Sequence, residues 1–347
     1  MDALSASLGR TPEFFPYAVD SLGDGISFIR LSRDDYARAS FLDARIVKPG
    51  HVAHAVPWAT ITALIDAAGL AERCHFIFHI GHVGSTLLSR LVGADPRAFA
   101  LREPAILRRF AQRHAEAAQA MGTLTDANVR MGTCLRLLSR TFDPGQSAVI
   151  KATSFVSELA VALLARNWAP RAVMMYVPPE SYLATIFGGP NSRQEAKLLT
   201  PWRLRRLHRR IGREVWRIDS LSEGETVALG WVCEMAALAE PVPTARDRIL
   251  KLDFDAFLAA PFAHLSAVLR HFDIPATEHE IRDILAGPHL HRYSKAPEHA
   301  YDAALRAEVL SLARSLHGAE IRRGLRWLER AAEHECVHAA LRLGQPG

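Results

Sequence analysis

The sequence predicts a three-layer α/β fold, with helices packed against both faces of a parallel sheet of about five strands. Three observations carry that expectation. Short apolar runs of the kind a doubly buried strand requires, such as Phe76, Ile77, Phe78 and Ile80, recur along the chain with helical stretches between them. One of these runs passes through Gly81 and Gly84 directly into a helix start at Ser85, the strand, turn and helix order of an open α/β sheet. A chain of 347 residues with 49% apolar residues is long enough for one large domain or two ordinary ones.

Residues 1–70 read as an N-terminal appendage to a nucleotide-binding unit formed by residues 71–340. Gly25 to Arg30 alternates as a strand does, Asp34 to Leu42 fits a short helix, and Pro57 to Ala68 fits a better one whose end Gly69 marks. No motif here carries chemistry. The appendage covers a sheet edge, shapes an acceptor pocket or makes a homodimer contact, and the sequence leaves the three open. The first ten residues hold an early acid and no long apolar segment, so no secretory signal and no membrane span are expected. Cys74, Cys134, Cys233 and Cys336 are scattered, which fits a reduced, cytoplasmic setting without disulfides.

In the larger unit the turn leads through a helix from Thr86 to Gly93 into a second strand, Ala98 to Leu101, followed at once by Arg102, Glu103 and Pro104. Amphipathic helices at 104–120 and 126–140 precede a third strand, Ala148 to Lys151. Thr153 or Ser154 caps a helix from Phe155 to Arg166. Arg171 to Val177 is the fourth strand, Pro178 to Phe187 begins the next helix, Glu223 to Glu240 is helical, and Arg248 to Leu252 is the fifth strand. Two amphipathic helices end the chain.

The turn after the first strand reads as an anion site. The first N–H groups of a helix lack internal acceptors and lie at the positive end of its dipole, so a phosphate bound by Gly84, Ser85 and Thr86 satisfies both. The comparison nearest to hand is the Walker A loop, G-x-x-x-x-G-K-S/T. Here Ser85 stands at the lysine position and His79 at the first glycine, which weakens a metal-assisted NTPase reading.

Gly84-Ser85-Thr86-Leu87-Leu88, with Leu101 to Pro104 downstream, resembles the 5′-phosphosulfate loop of the sulfotransferases, which use 3′-phosphoadenylyl sulfate (PAPS). The resemblance covers residues 72–335. It implies a P-loop NTPase-like fold, PAPS as donor, and an acceptor that is a small molecule, a carbohydrate or a peptide. Gly81, His82, Val83, Gly84, Ser85 and Thr86 then form the donor loop. His82 stands where the family has lysine or arginine, and histidine carries charge only if protonated. In the family's second signature, a strand followed by R-D-P and a later serine, arginine and serine bind the 3′-phosphate. Val177, Pro178 and Thr185 occupy the arginine, aspartate and serine positions here. Valine cannot bind phosphate, so either another cation serves, with Arg193, Arg102 and Lys295 as candidates, or the nucleotide lacks a 3′-phosphate, or catalysis has been lost. Phe254 to Pro261 resembles Y-E-D-L-L-x-D-P with Asp255 as a helix-capping acid, and Phe272 to Pro275 resembles F-L-G-I/L-P.

Glu103, at the C-terminal end of a strand beside the loop, is the leading general base for an acceptor hydroxyl or amine. As a structural residue it would instead be a first-turn acid stabilising the dipole of the helix at Pro104. Lys151, at the end of the next strand, or His82 would stabilise charge on the leaving oxygen. Residues 287–301 form a polar stretch; the resemblance implies a late basic loop that closes over the nucleotide, with Arg292 and Lys295 as the residues for it. His289, His291 and His299 there lack the spacing of a metal site.

Much of the net charge of +5 lies in Arg203, Arg205, Arg206, Arg209, Arg210, Arg213 and Arg217, placed on one helix that faces either solvent or a nucleotide, an acidic acceptor or nucleic acid. No aromatic stacking motif accompanies them, which argues against nucleic acid. Besides PAPS-dependent sulfuryl transfer, two other readings stay open: an ATP-dependent phosphotransferase on the same loop, and a non-catalytic nucleotide-binding or scaffold protein that uses the basic helix.

Overall fold

The computed structural model describes residues 7–20, 23–48, 54–120, 125–292, 294 and 302–345. Eight strands lie in two sheets among these residues: β1 (Phe14–Val19), β2 (Gly25–Arg30), β3 (His54–Pro57), β4 (Cys74–His79), β5 (Ala98–Arg102), β6 (Ser147–Lys151), β7 (Ala172–Tyr176) and β8 (Ile249–Asp253). The larger sheet is parallel throughout, in the order β5-β6-β4-β7-β8. This is the expected α/β fold.

β4 is central because its apolar run is buried from Phe76 to Ile80 and can face helices on both sides. The register sets Ile77 of β4 and Arg102 of β5 beside Lys151 of β6, so three strand ends meet at the edge where the loop leaves β4. Ligands in open α/β sheets bind at that edge.

The smaller sheet is antiparallel, in the order β1-β2-β3. Only β2 follows from residue alternation; β1 and β3 flank it because the backbone N–H and C=O groups of a buried strand need partners on both edges. The helix expected from Asp34 to Leu42 runs only from Arg33 to Arg38, started by a capping box in which Ser32 and Asp35 bond reciprocally. Its C-cap, Ala39, turns extended, and the freed carbonyls of Tyr36, Ala37 and Ala39 accept from Arg102 of β5.

Three other stretches depart from expectation. The segment after β6 is a 3-10 turn, Ser154–Leu159, joined to a short helix, Ala160–Leu164, rather than one continuous helix. Asp255 does not cap: Asp253 caps the Phe254–Ala259 helix, and Asp255 lies 2.7 Å from the Arg306 guanidinium. The basic helix, Pro190–Ile211, stops at Gly212 (φ 81°), so Arg213 and Arg217 lie beyond it.

That helix also turns half its charge inward. Arg203 and Arg206 are buried and bond Glu234 at 3.1 and 3.0 Å, while Arg206 and Arg210 bond Glu158 at 2.8 and 2.9 Å. Burial would raise the Glu234 pKa, but the Arg206 and Arg203 charges outweigh it and hold the carboxyl below its usual range. Of the seven arginines, Arg205, Arg209, Arg213 and Arg217 are exposed.

Candidate functional site

A cavity of about 750 Å³ opens at the C-terminal edge of the parallel sheet, within the range of small-ligand sites. Its floor is the turn between β4 and the Ser85–Val92 helix. Gly81, His82 and Gly84 all have positive φ, at 84°, 55° and 63°, and Gly84 is the helix N-cap. Left-handed residues interspersed in a turn bring successive N–H groups into a concave nest. Among the described residues, no hydrogen bond engages the N–H groups of Gly84, Ser85 or Thr86. The Thr86 hydroxyl is buried, lines the cavity and has no hydrogen-bond partner among the described residues. A group left in that condition is costly unless a ligand meets it, by roughly 1–3 kcal/mol.

Across the cavity stands a buried ion pair, Lys151 Nζ with Glu103 Oε1. Glu103 adopts φ 55° and donates its N–H to the Lys151 carbonyl at 2.7 Å. A left-handed glutamate is strained, and the bond to β6 holds it there. His79, the last residue of β4, accepts from the Gly81 N–H on Nδ1 at 3.0 Å. A neutral His79 therefore carries its hydrogen on Nε2, which lies 3.9 Å from Glu103 Oε1.

The cavity brings together Gly81, His82, Val83, Gly84, Ser85, Thr86, Glu103, Lys151 and Thr185. His82 is engaged at its rim, with Nε2 3.3 Å from Glu195 and Nδ1 3.5 Å from Ser192. Thr185 lines the wall and donates its hydroxyl to the Ser181 carbonyl at 2.7 Å. Arg193 does not line the cavity: it makes a two-pronged pair with Glu223 at 2.8 and 3.0 Å. Arg102 is spent on the carbonyls of residues 36–39, and burial, with Arg90 nearby, lowers its pKa to about 9. Lys295 and His299 lie outside the described residues. Val177 is fully buried, its carbonyl accepting from Trp231 Nε1 at 2.9 Å, so that position belongs to the core.

Several lining residues have no sequence signature. Arg306 enters from the first turn of the Ala303–Ala331 helix, with its guanidinium 5.3 Å from the Phe254 ring. Phe254 in turn packs against Gly84, where a Cβ would overlap the ring. Arg306 therefore reaches the loop through Phe254, a neighbour 52 residues distant in sequence. Arg45 and Phe41 come from the N-terminal segment, and Arg108 from the helix after Glu103. Thr153 presents a second buried hydroxyl without a hydrogen-bond partner among the described residues. Only His79 was recoverable, from its place at the end of a strand beside the loop. His289 also lines the cavity; burial first, then Arg90 and Arg102, lower its pKa and keep it neutral.

Solved sulfotransferase structures are similar to this fold. One from Mycobacterium avium aligns at 14% identity with a TM-score of 0.40, over 74% of this chain and 81% of that one. The sulfotransferase domain from the curacin biosynthetic pathway aligns at 14% identity and a TM-score of 0.39, over 74% and 97%. A sulfotransferase from Mycobacterium tuberculosis aligns at 15% identity and 0.37, over 72% and 78%. No family model and no curated protein matches. A likeness at this level concerns the fold, and function has to be read from the cavity.

Proposed function

We propose that the chain transfers a sulfuryl group from PAPS to an acceptor hydroxyl or amine. The observation that carries this reading is one cavity with two halves: a helix-start nest of unengaged N–H groups with the orphaned Thr86 hydroxyl, and the Lys151–Glu103 pair opposite. The nest suits the 5′-phosphosulfate. Arg306 replaces the cation that Val177 cannot supply to the 3′-phosphate.

In the reaction, an acceptor lone pair attacks sulfur and the bond from sulfur to the bridging phosphate oxygen breaks, leaving its electron pair on adenosine 3′,5′-bisphosphate. Glu103 takes the acceptor proton. As its carboxylate becomes neutral, Lys151 loses a counter-ion at the moment charge gathers on the departing oxygen. The lysine then interacts more strongly with the transition state than with the ground state, which is the condition for catalysis.

The test is calorimetric titration with adenosine 3′,5′-bisphosphate, ADP and AMP. The expected result is at least about tenfold preference for the bisphosphate, lost in Arg306→Gln, with all three weakened by Thr86→Ala. ADP binding as tightly as the bisphosphate would turn the assignment to an ATP-dependent phosphotransferase. No nucleotide binding would leave a scaffold role. Given binding, Glu103→Gln should lower the rate of bisphosphate release from PAPS by about 10²- to 10⁴-fold at nearly unchanged donor affinity. Equal losses in both would remove Glu103 from the base role.

A further inference from the structure

The two ends of the cavity carry different sets of cations. Arg306 lies at the Gly84 end, against Phe254. At the Glu103 end stand Arg45 and Arg108, with Phe41 between Arg45 and the ion pair: the Arg45 guanidinium lies 3.5 Å from the Phe41 ring centroid, and Lys151 Nζ 5.5 Å from it.

Arg45 is held in place. Asp43 accepts from its Nε at 2.8 Å and from its Nη2, and also caps the local 3-10 turn by accepting the Arg45 N–H at 3.0 Å. Among the described residues, no hydrogen bond engages Nη1. A guanidinium fixed on one edge by carboxylate and on one face by an aromatic ring has little freedom left to lose on meeting a ligand. The charges do not balance. Among the described residues Lys151, Arg45 and Arg108 face two carboxylates: Glu103, which pairs with Lys151 and also acts on Arg45, and Asp43, which acts on both arginines. Burial raises the Asp43 pKa, but the bonds from Arg45 and the charges of Arg45 and Arg108 leave it below its usual range, so the carboxylate is ionised and one positive charge remains over.

Resting on the transfer reading above, we infer that Arg45 and Arg108 form an anion subsite on the acceptor side, and that the acceptor carries a carboxylate, phosphate or sulfate besides its nucleophile. Both guanidiniums are open to water in the free protein, and a neutral acceptor that displaced this water would leave the excess charge beside the ion pair unmatched. An anionic one is anchored there while its hydroxyl or amine reaches Glu103. The same subsite gives the N-terminal segment a place in substrate selection, since Phe41, Asp43 and Arg45 all belong to it.

The probe is sodium tungstate, an oxyanion that an anomalous difference map locates directly in crystals of the full chain. Two peaks are expected, one in the loop at Ser85 and one between Arg45 and Arg108. Adding adenosine 3′,5′-bisphosphate should displace the loop peak and leave the second. The Arg45→Gln, Arg108→Gln double variant should lose the second peak and keep the loop peak, which also reports that the variant is folded. In solution, tungstate affinity with the bisphosphate bound should fall at least about tenfold in that variant. An empty Arg45 end, or a peak there that survives the double substitution, overturns the inference. So does displacement of the second peak by the bisphosphate, since the subsite would then belong to the nucleotide. Failure of the bisphosphate to displace the loop peak counts against the donor assignment alone.

Discussion

Gly84 bears two constraints at once, a left-handed φ of 63° and a ring, Phe254, where its Cβ would go. Gly69 has the same φ of 63° with nothing within 4 Å. Gly69→Ala should therefore show the backbone term by itself, about 1 kcal/mol. Gly84→Ala should cost about 1–3 kcal/mol more in denaturant melts, the range of overpacking, and should weaken nucleotide binding because Phe254 must move. Equal losses at the two sites would mean that the Phe254 contact is soft. His75 makes a prediction about pH. Burial first, then the Arg171 charge, lower its pKa to about 4, and its neutral Nδ1 accepts the Arg171 N–H at 3.1 Å. The unfolded chain binds this proton near pH 6.5 and the folded one only near pH 4, so the contribution is full above 6.5 and is lost as pH falls towards 4. The span corresponds to about 3 kcal/mol. A His75→Gln variant melted across that window should show a visibly flatter pH dependence than the parent.

Helices carry the next scale of argument. The Glu223–Ala239 and Ala303–Ala331 helices cross where Gly224 meets Glu320 and Gly324: a Cβ on Gly224 would overlap the Glu320 carbonyl, and one on Gly324 would come within 2.5 Å of the Gly224 oxygen. Gly224→Ala gains helix propensity of about 1 kcal/mol, yet it should lower stability by about 1–3 kcal/mol as the helices are forced apart. The Glu234 pairing with Arg203 and Arg206 is a sharper case. Glu234→Gln leaves two buried guanidiniums short of charge and should cost about 3–5 kcal/mol, whereas Glu240→Gln, at a more exposed partner of Arg210, should cost under about 1 kcal/mol. Because the Glu234 pKa is lowered on folding, its contribution is present above the unfolded value and is lost as acid drives the pH through the folded one. These contacts also mark where sequence reading stops. The five parallel strands were legible because each is a short apolar run closed by turn residues, and the loop because glycine and a helix start are local signals. The inward turn of Arg203 and Arg206 depends on Glu158 and Glu234, which lie elsewhere in the chain. Arg306 likewise has no local signal. The shared cavity wall of Glu103 and Lys151 was half legible, since both end parallel strands, but their pairing follows from β5 lying beside β6.

At the scale of the whole molecule, the N-terminal segment is wired into the larger unit through buried cations. Arg140 donates to the carbonyls of Leu8, Thr11 and Phe14, Arg102 to those of Tyr36, Ala37 and Ala39, and Arg90 to the Ser40 hydroxyl at 2.8 Å. Around them Tyr36 stacks edge-on against Phe15, Phe99 and Phe142, so one aromatic cluster spans both sheets. A chain begun at residue 71 would keep every strand of the parallel sheet and the whole loop. It would nevertheless strip Arg102 of its carbonyl partners and leave Arg90 and Arg140 with one each, Ser294 and Leu137, and a buried guanidinium short of partners costs several kcal/mol, together a large share of the stability of a folded domain. The truncated chain should therefore fail to unfold cooperatively by circular dichroism, and should run expanded on gel filtration. Replacing Arg90, Arg102 and Arg140 with leucine in the truncated chain removes the orphaned charges while keeping apolar bulk. If loss of those partners is the cause, that variant recovers a compact form; if only the missing apolar surface matters, it does not. A truncated parent chain that melted as sharply as the full one would make residues 1–70 an appendage after all.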